Sequence, residues 1–299
     1  MSYPDKLYPR DYKVLSIIDY DPVSIRYDAV HASSGVRTTL HVGFASKMIA
    51  SWDVEGIATG VPTEVSLSFR LADIQGLPRI FGYGRISADV VFYATLSYNY
   101  ITVKTLVDAG AYLNWDRCEC FRQVFYCVYE CAKRGVYHTS LSLHCVFFNE
   151  NQYQVGGWQF GDVSDVSGAT KTEVFTACNK DSLSPEAHRR DKYAEMDYCP
   201  EKQLVWSLGI FLYSLYLSSI PFERSELECV GNLVRNVMYN KVKREVTIIQ
   251  DLQSRLVENT CNLPRDVRML IWKCLAFFPE KRQSLETTKY FVDRMTLEK

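Results

Sequence analysis

The 299-residue chain lacks an excess of either charge: 34 Lys and Arg stand against 35 Asp and Glu. Such a balance leaves no broad basic face, so no nucleic-acid partner is expected. Ten cysteines and five histidines are scattered, and no C-x-x-C pair occurs. Zinc sites gather their ligands at closer spacing, so no metal is expected. The cysteines read as small buried hydrophobes in a reducing compartment. Long hydrophobic runs are also missing. The longest uncharged segment, WSLGIFLYSLYLSSIPF from Trp206 to Phe222, falls short of the roughly 18–20 residues of a membrane span. It reads as a buried helix, and no membrane association is expected. The N-terminal MSYPDKLYPRDYK is too polar for a signal peptide. An intracellular location, cytoplasmic and/or nuclear, is the expectation.

What is present is material for a core: 47% of residues are apolar and 13% aromatic. YKVLSIID, IRYDAVHA, VRTTLHVGF and DVVFYATLSY are rich in Val, Ile, Tyr and Thr and predict strands. TEVSLSFRLADI, with Val65, Phe69 and Leu71 near helical spacing, predicts one helix among them. After Asn99 the pattern turns helical. In NWDRCECFRQVFYCVYECAKRG apolar residues recur from Trp115 to Cys131, with Asn114 placed to cap the start and Gly135 the stop. Further helices are predicted from Lys202, Pro264 and Ser284. The expected fold is α+β and bilobal, a small β-rich N-lobe at 11–98 and a larger α-helical C-lobe at 99–295.

Three segments then carry a family resemblance. SLSPEAHRRDKY, LVWSLGIFLYSLYLSSIPFE and LIWKCLAFFPEKRQSLE, in that order and spacing, resemble the C-lobe of protein kinases, and most closely the Pim Ser/Thr kinases. Leu204 stands where most kinases have aspartate, a departure the Pim family shares. The resemblance implies a protein-kinase-like fold. In it Glu186 pairs with Arg282, Trp206 and Gly209 sit in a buried central helix, Glu64 is the helix-C glutamate, and His138, Phe160 and Gly161 are structural.

At the positions the resemblance assigns to catalysis, other residue types stand. Asp19, Asp21 and Ser24 occupy the phosphate-loop positions that glycine fills, because only glycine lets backbone amides approach phosphates closely. Two carboxylates there repel phosphate. The strand-three lysine is replaced by Val42, or by His41 in the neighbouring register. Ser140 replaces the general base, and a hydroxyl does not accept a proton as a carboxylate does. Ser142 replaces a lysine. Cys145 replaces a metal-binding asparagine, and a soft thiol suits magnesium poorly. Gln159 replaces the metal-binding aspartate before Phe160 and Gly161.

The expectation is therefore a pseudokinase with no cofactor and no enzyme activity, acting as a protein-interaction, scaffold or allosteric module. The alternatives are a nucleotide or small-molecule sensor without turnover, or an enzyme with unorthodox nucleotide chemistry. Two surfaces are candidates for a protein partner. One is the extended connection around 230–262, where Lys241, Lys243 and Arg244 cluster and Val246, Ile249, Leu252 and Leu256 follow near-helical spacing. The other is the activation-segment region near Arg189, Arg190 and Lys192.

Overall fold

The structure, a computed structural model, describes residues 9–20, 24–49, 60–96, 101–110, 115–149, 152–158, 161–163, 180–190, 199–239 and 243–295. Five antiparallel strands form the N-terminal sheet: β1 (Tyr12–Tyr20), β2 (Ser24–His31), β3 (Arg37–Phe44), β4 (Ile80–Arg85) and β5 (Val90–Leu96). Their order is β1-β2-β3-β5-β4. Between β3 and β4 lie α1 (Ala45–Met48) and α2 (Thr63–Arg70). Alternation along β3 splits the sheet's contacts. Leu40 and Val42 pack with Ala29, Phe92 and Ala94 on one face. On the other, Val91 and Tyr93 pack with Val65 of α2.

The C-terminal part is helical. A small sheet, ordered β6-β8-β9, contains β6 (Ile101–Thr102), β8 (Val146–Asn149) and β9 (Gln152–Val155). A second pairs β7 (Val136–His138) with β10 (Gly161–Val163). Around them run α3 (Val103–Asp108), α4 (Arg117–Ala132), α5 (Pro185–Arg190), α6 (Pro200–Leu217), α7 (Arg224–Tyr239), α8 (Lys243–Thr260), α9 (Arg265–Cys274) and α10 (Leu285–Val292). A β-rich N-terminal part followed by a helical C-terminal part is the architecture of a bilobal, kinase-like α+β fold.

α6 is the axis of the core. It is apolar nearly all round, as a helix buried on every side must be, and Leu204, Val205, Trp206, Leu208, Phe211 and Leu212 are wholly buried. Gly209 lets α9 approach: a Cβ there would lie 2.7 Å from the Cβ of Cys274. Phe211 stacks on Phe121 of α4, with ring centroids 6.3 Å apart.

Local chemistry shifts several expected boundaries. α4 is capped by Asp116, whose carboxylate accepts from Glu119 N at 2.9 Å. Asn114 lies outside the described residues. Aspartate caps as well as asparagine and also suits the positive helix end. α6 begins at Pro200, since proline at the first turn costs no hydrogen bond. The 230–262 connection belongs to two helices, α7 and α8, where one was expected. Ile249, Leu252 and Leu256 are buried in the main core, so α8's apolar stripe packs on its own lobe. Of the cysteines, Cys118, Cys120, Cys127, Cys131 and Cys274 are buried as expected, whereas Cys199, Cys229 and Cys261 are exposed. Among the described residues no helix is long and apolar enough to cross a membrane, and no group of His, Cys, Asp and Glu could hold a metal ion.

Candidate functional site

The site is the cleft where the N-terminal sheet faces β7, β8 and the loop between them. Three residues past the end of α4, Gly135, with a φ of +74°, supplies the left-handed turn into β7. His138 closes β7 with its ring wholly buried. Its Nε2 donates to the Gly156 carbonyl at 3.0 Å and its Nδ1 accepts from Ser140 N at 3.4 Å. The indole of Trp158 meets the ring edge-on, with centroids 4.9 Å apart. Burial pushes the imidazole down to about 4. His138 is thus a neutral framework ring.

That burial has a measurable consequence. An unfolded histidine titrates near ~6.5, so below that pH the unfolded chain takes up a proton the folded chain refuses. Stability therefore falls as pH drops from about 6.5 toward 4, by up to ~1.4 kcal/mol per pH unit. In His138→Phe, equilibrium unfolding at a series of pH values should show a flatter slope across that window; an unchanged slope would clear His138 of the effect. His41, also held well below its ordinary value by burial and by the Arg26 charge, keeps its own share.

Ser140 follows in the loop and is 3% exposed. The loop is pinned from beneath by Gln203 of α6, a residue that sequence reasoning passed over. Its Nε2 lies 3.0 Å from the carbonyls of Thr139 and Ser182 and from Ser207 Oγ, and its Oε1 accepts from Ser184 N at 2.9 Å. A lone amide at the head of an apolar helix was the available signal. Cys145 braces the other side. Its thiol donates to the Ser142 carbonyl at 3.1 Å and accepts from Ser142 N at 3.2 Å. Burial pushes that thiol up to about 11, and the nearby Glu64 carboxylate adds to the rise. Cys145 is therefore a protonated hydrogen-bonding group. Glu64 itself is 3% exposed in the first turn of α2.

On β3 the alternation separates the two residues that compete for the lysine position. His41 lies on the α2 side, stacked on Tyr93 at 4.4 Å with an interplanar angle of 9°. Val42 lies on the opposite face, packed with the Leu40 and Phe92 cluster. A one-residue slip in a strand exchanges faces, so the side chain directed toward α2 is that of His41.

Beside His41 in the ladder is Arg26 of β2, a second residue that sequence reasoning missed. Its guanidinium sits 5.4 Å from the centroid of the Phe147 ring on β8, and the residue is 9% exposed. This contact joins the upper sheet to the lower one across the cleft. Gly156 makes room for it, because a Cβ there would lie 3.0 Å from Phe147 Cε2. Ser24, at the head of β2, is buried and pairs with Gly43. Asp21, Gln159 and Phe160, and the side chain of Asp19, lie outside the described residues. Gly161 begins β10 opposite His138.

Away from the cleft, Glu186 of α5 and Arg282 form a two-pronged ion pair, Nη1 to Oε1 at 2.6 Å and Nη2 to Oε2 at 3.2 Å. Arg282 also donates to the carbonyls of Ala276 and Lys202, at 3.1 and 2.9 Å. Its guanidinium lies 4.9 Å from the Trp206 ring centroid. Five donors in a fixed fork let one arginine satisfy all these partners. Of the candidate partner-surface residues, Lys192 and Lys241 lie outside the described residues, as do the side chains of Arg189, Arg190, Lys243, Arg244 and Val246.

No family model matches the chain. It is 23% identical over 242 residues to the serine/threonine-protein kinase prk-2 of Caenorhabditis elegans, an alignment covering 76% of this chain and 45% of that protein. The chain thus spans less than half the length of the relative it matches. The likeness supports a protein-kinase-like relationship. It also overturns the expectation that the chain is not an enzyme, because the matched relative is named as a kinase and the likeness carries no sign of lost activity.

Proposed function

We propose that this chain is a Pim-like kinase relative, with an N-lobe at 11–98 and a C-lobe at 99–295, that works by engaging another protein as a scaffold or allosteric regulator. The observation that carries the reading is the Arg26–Phe147 contact: the chain's own side chains bridge the cleft. Residues of unusual type at Asp19, Asp21, His41, Ser140, Ser142, Cys145 and Gln159 support it. The partner surface adjoins the 230–262 region, between the start of α7 and the middle of α8. There Ser225, Glu226 and Cys229 of α7 and Ile248, Asp251, Leu252 and Arg255 of α8 line a groove of about 470 Å³. Arg255 holds Glu226 across it through two bonds of 2.8 and 2.7 Å. The stretch near Arg189, Arg190 and Lys192, basic in sequence, is a second candidate.

The test changes the groove without touching the core. In Ile248→Glu/Asp251→Arg, quantitative affinity purification from cells should recover specific partners at least ~5-fold less, a loss of about 1 kcal/mol in binding, with an unchanged melting temperature. Equal recovery would remove the groove from the proposal. The bridge has its own test. Arg26→Ala clears the space over Phe147, so stabilisation by about 1 mM ATP with magnesium should exceed that of the unaltered chain. A tenfold gain in affinity adds about 1.4 kcal/mol. A shift in the unaltered chain that Arg26→Ala abolishes would instead favour a cleft that senses nucleotide.

A further inference from the structure

The N-terminal sheet ends on β1, whose outer side is left without a strand partner among the described residues. An edge of this kind offers a row of unpaired backbone donors and acceptors. This one is nine residues long and apolar: Val14, Leu15, Ile17, Ile18 and Tyr20 are all exposed, from 49% at Val14 to 68% at Tyr20. Two irregularities in its ladder with β2, between Val14 and Ser16 and between Ile17 and Asp19, explain why neighbouring residues both reach solvent. Bulges and a lysine are devices by which native sheets blunt an edge. Here both are present, and the five apolar side chains still lie open.

The sequence of β1 indicates what covers them. Written about its midpoint, Tyr-Lys-Val-Leu-Ser-Ile-Ile-Asp-Tyr is self-complementary in the antiparallel sense. A second β1 running the other way and centred on Ser16 sets Lys13 opposite Asp19, Val14 opposite Ile18, Leu15 opposite Ile17 and Tyr12 opposite Tyr20. Opposite charges and apolar pairs are the combinations that favour cross-strand pairing, and the two-fold axis makes each pair occur twice. Parallel pairing would set Lys13 beside Lys13. Pairing with β4 of another copy would be head-to-tail and would meet Gly82, Gly84 and Arg85, with no closure. We propose that β1 is a self-association edge, joining two copies of this chain through an antiparallel β1–β1 contact centred on Ser16. This proposal is independent of the reading of the cleft and of the α7–α8 groove.

The experiment uses the full chain. Sedimentation over a range of concentrations should give twice the monomer mass at the upper end. Ser16→Cys puts a thiol from each copy on the two-fold axis. Under mild oxidation the two introduced thiols should join in an intermolecular disulfide, identified by peptide mass against the unaltered chain. Ile17→Lys should be monomeric with an unchanged melting temperature. Lys13→Glu should weaken the dimer, and Lys13→Glu with Asp19→Lys should restore it, which keeps the test decisive if Ile17→Lys folds poorly. The proposal is overturned by a monomer at every concentration, by a dimer indifferent to these charges, or by binding of a different protein to β1 while the chain itself stays monomeric.

Discussion

Replacing Glu186 with alanine lowers the stability of the chain by about 3–5 kcal/mol, the range for removing one partner of a buried ion pair. The guanidinium of Arg282 is fully buried and the Glu186 side chain is 10% exposed, so water does little to make good the lost charge. Arg282 would keep the carbonyls of Ala276 and Lys202, which satisfy donors but supply no net charge. Replacing both residues with apolar ones of similar volume is expected to cost much less, because the desolvation penalty of the pair disappears with it. Equilibrium denaturation of the single and double variants separates the two effects. A single variant as stable as the unaltered chain would refute the importance of the pair.

Trp206→Ala is the second large effect, again about 3–5 kcal/mol. The ring is wholly buried, packed against Phe222 and Phe277 at 5.9 and 5.8 Å, with Arg282 over its face. Trp206 Nε1 has no hydrogen-bond partner among the described residues, so truncation costs packing and the cation–π contact without orphaning an acceptor. It follows that Trp206→Phe should be far milder than Trp206→Ala; equal losses would mean that the indole nitrogen matters. Both Trp206 and Glu186 act on Arg282. The combined variant should therefore lose less than the two single losses together, and denaturant midpoints measure the difference.

Much of the fold was legible because it rests on periodicity. Four of the five N-terminal strands announce themselves through β-branched and aromatic residues. β4, IFGYGR, does not, since Gly82 and Gly84 are poor strand formers and its pairing with β5 decides the matter. α4 was marked by a cap, although the cap proved to be Asp116 and not Asn114, and α10 by its start at Ser284. In the cleft the residue types were legible but their relations were not. Arg26 reads as an ordinary polar position in an alternating strand, and only the approach of β8, from the other lobe of the chain, turns it over Phe147. His41 and Val42 could not be separated by pattern, because a strand in this lobe has apolar contacts on both faces. Alternation in β3 against Tyr93 separates them. Gln203 was hidden for the same reason as Arg26: its partners come from distant segments.

The Gln203 anchor also determines which conditions the cleft loop can withstand. The seam joining Thr139, Ser182 and Ser184 to α6 is made of one carboxamide, the Ser207 hydroxyl and backbone groups, all uncharged. A carboxylate in that place would release its hold on acidification; an amide has no proton to gain in that range. Nor do counterions compete for neutral dipoles as they do for exposed ion pairs. Concentrated salt would therefore loosen the surface ion pairs of this chain well before it freed the loop from the helix beneath it.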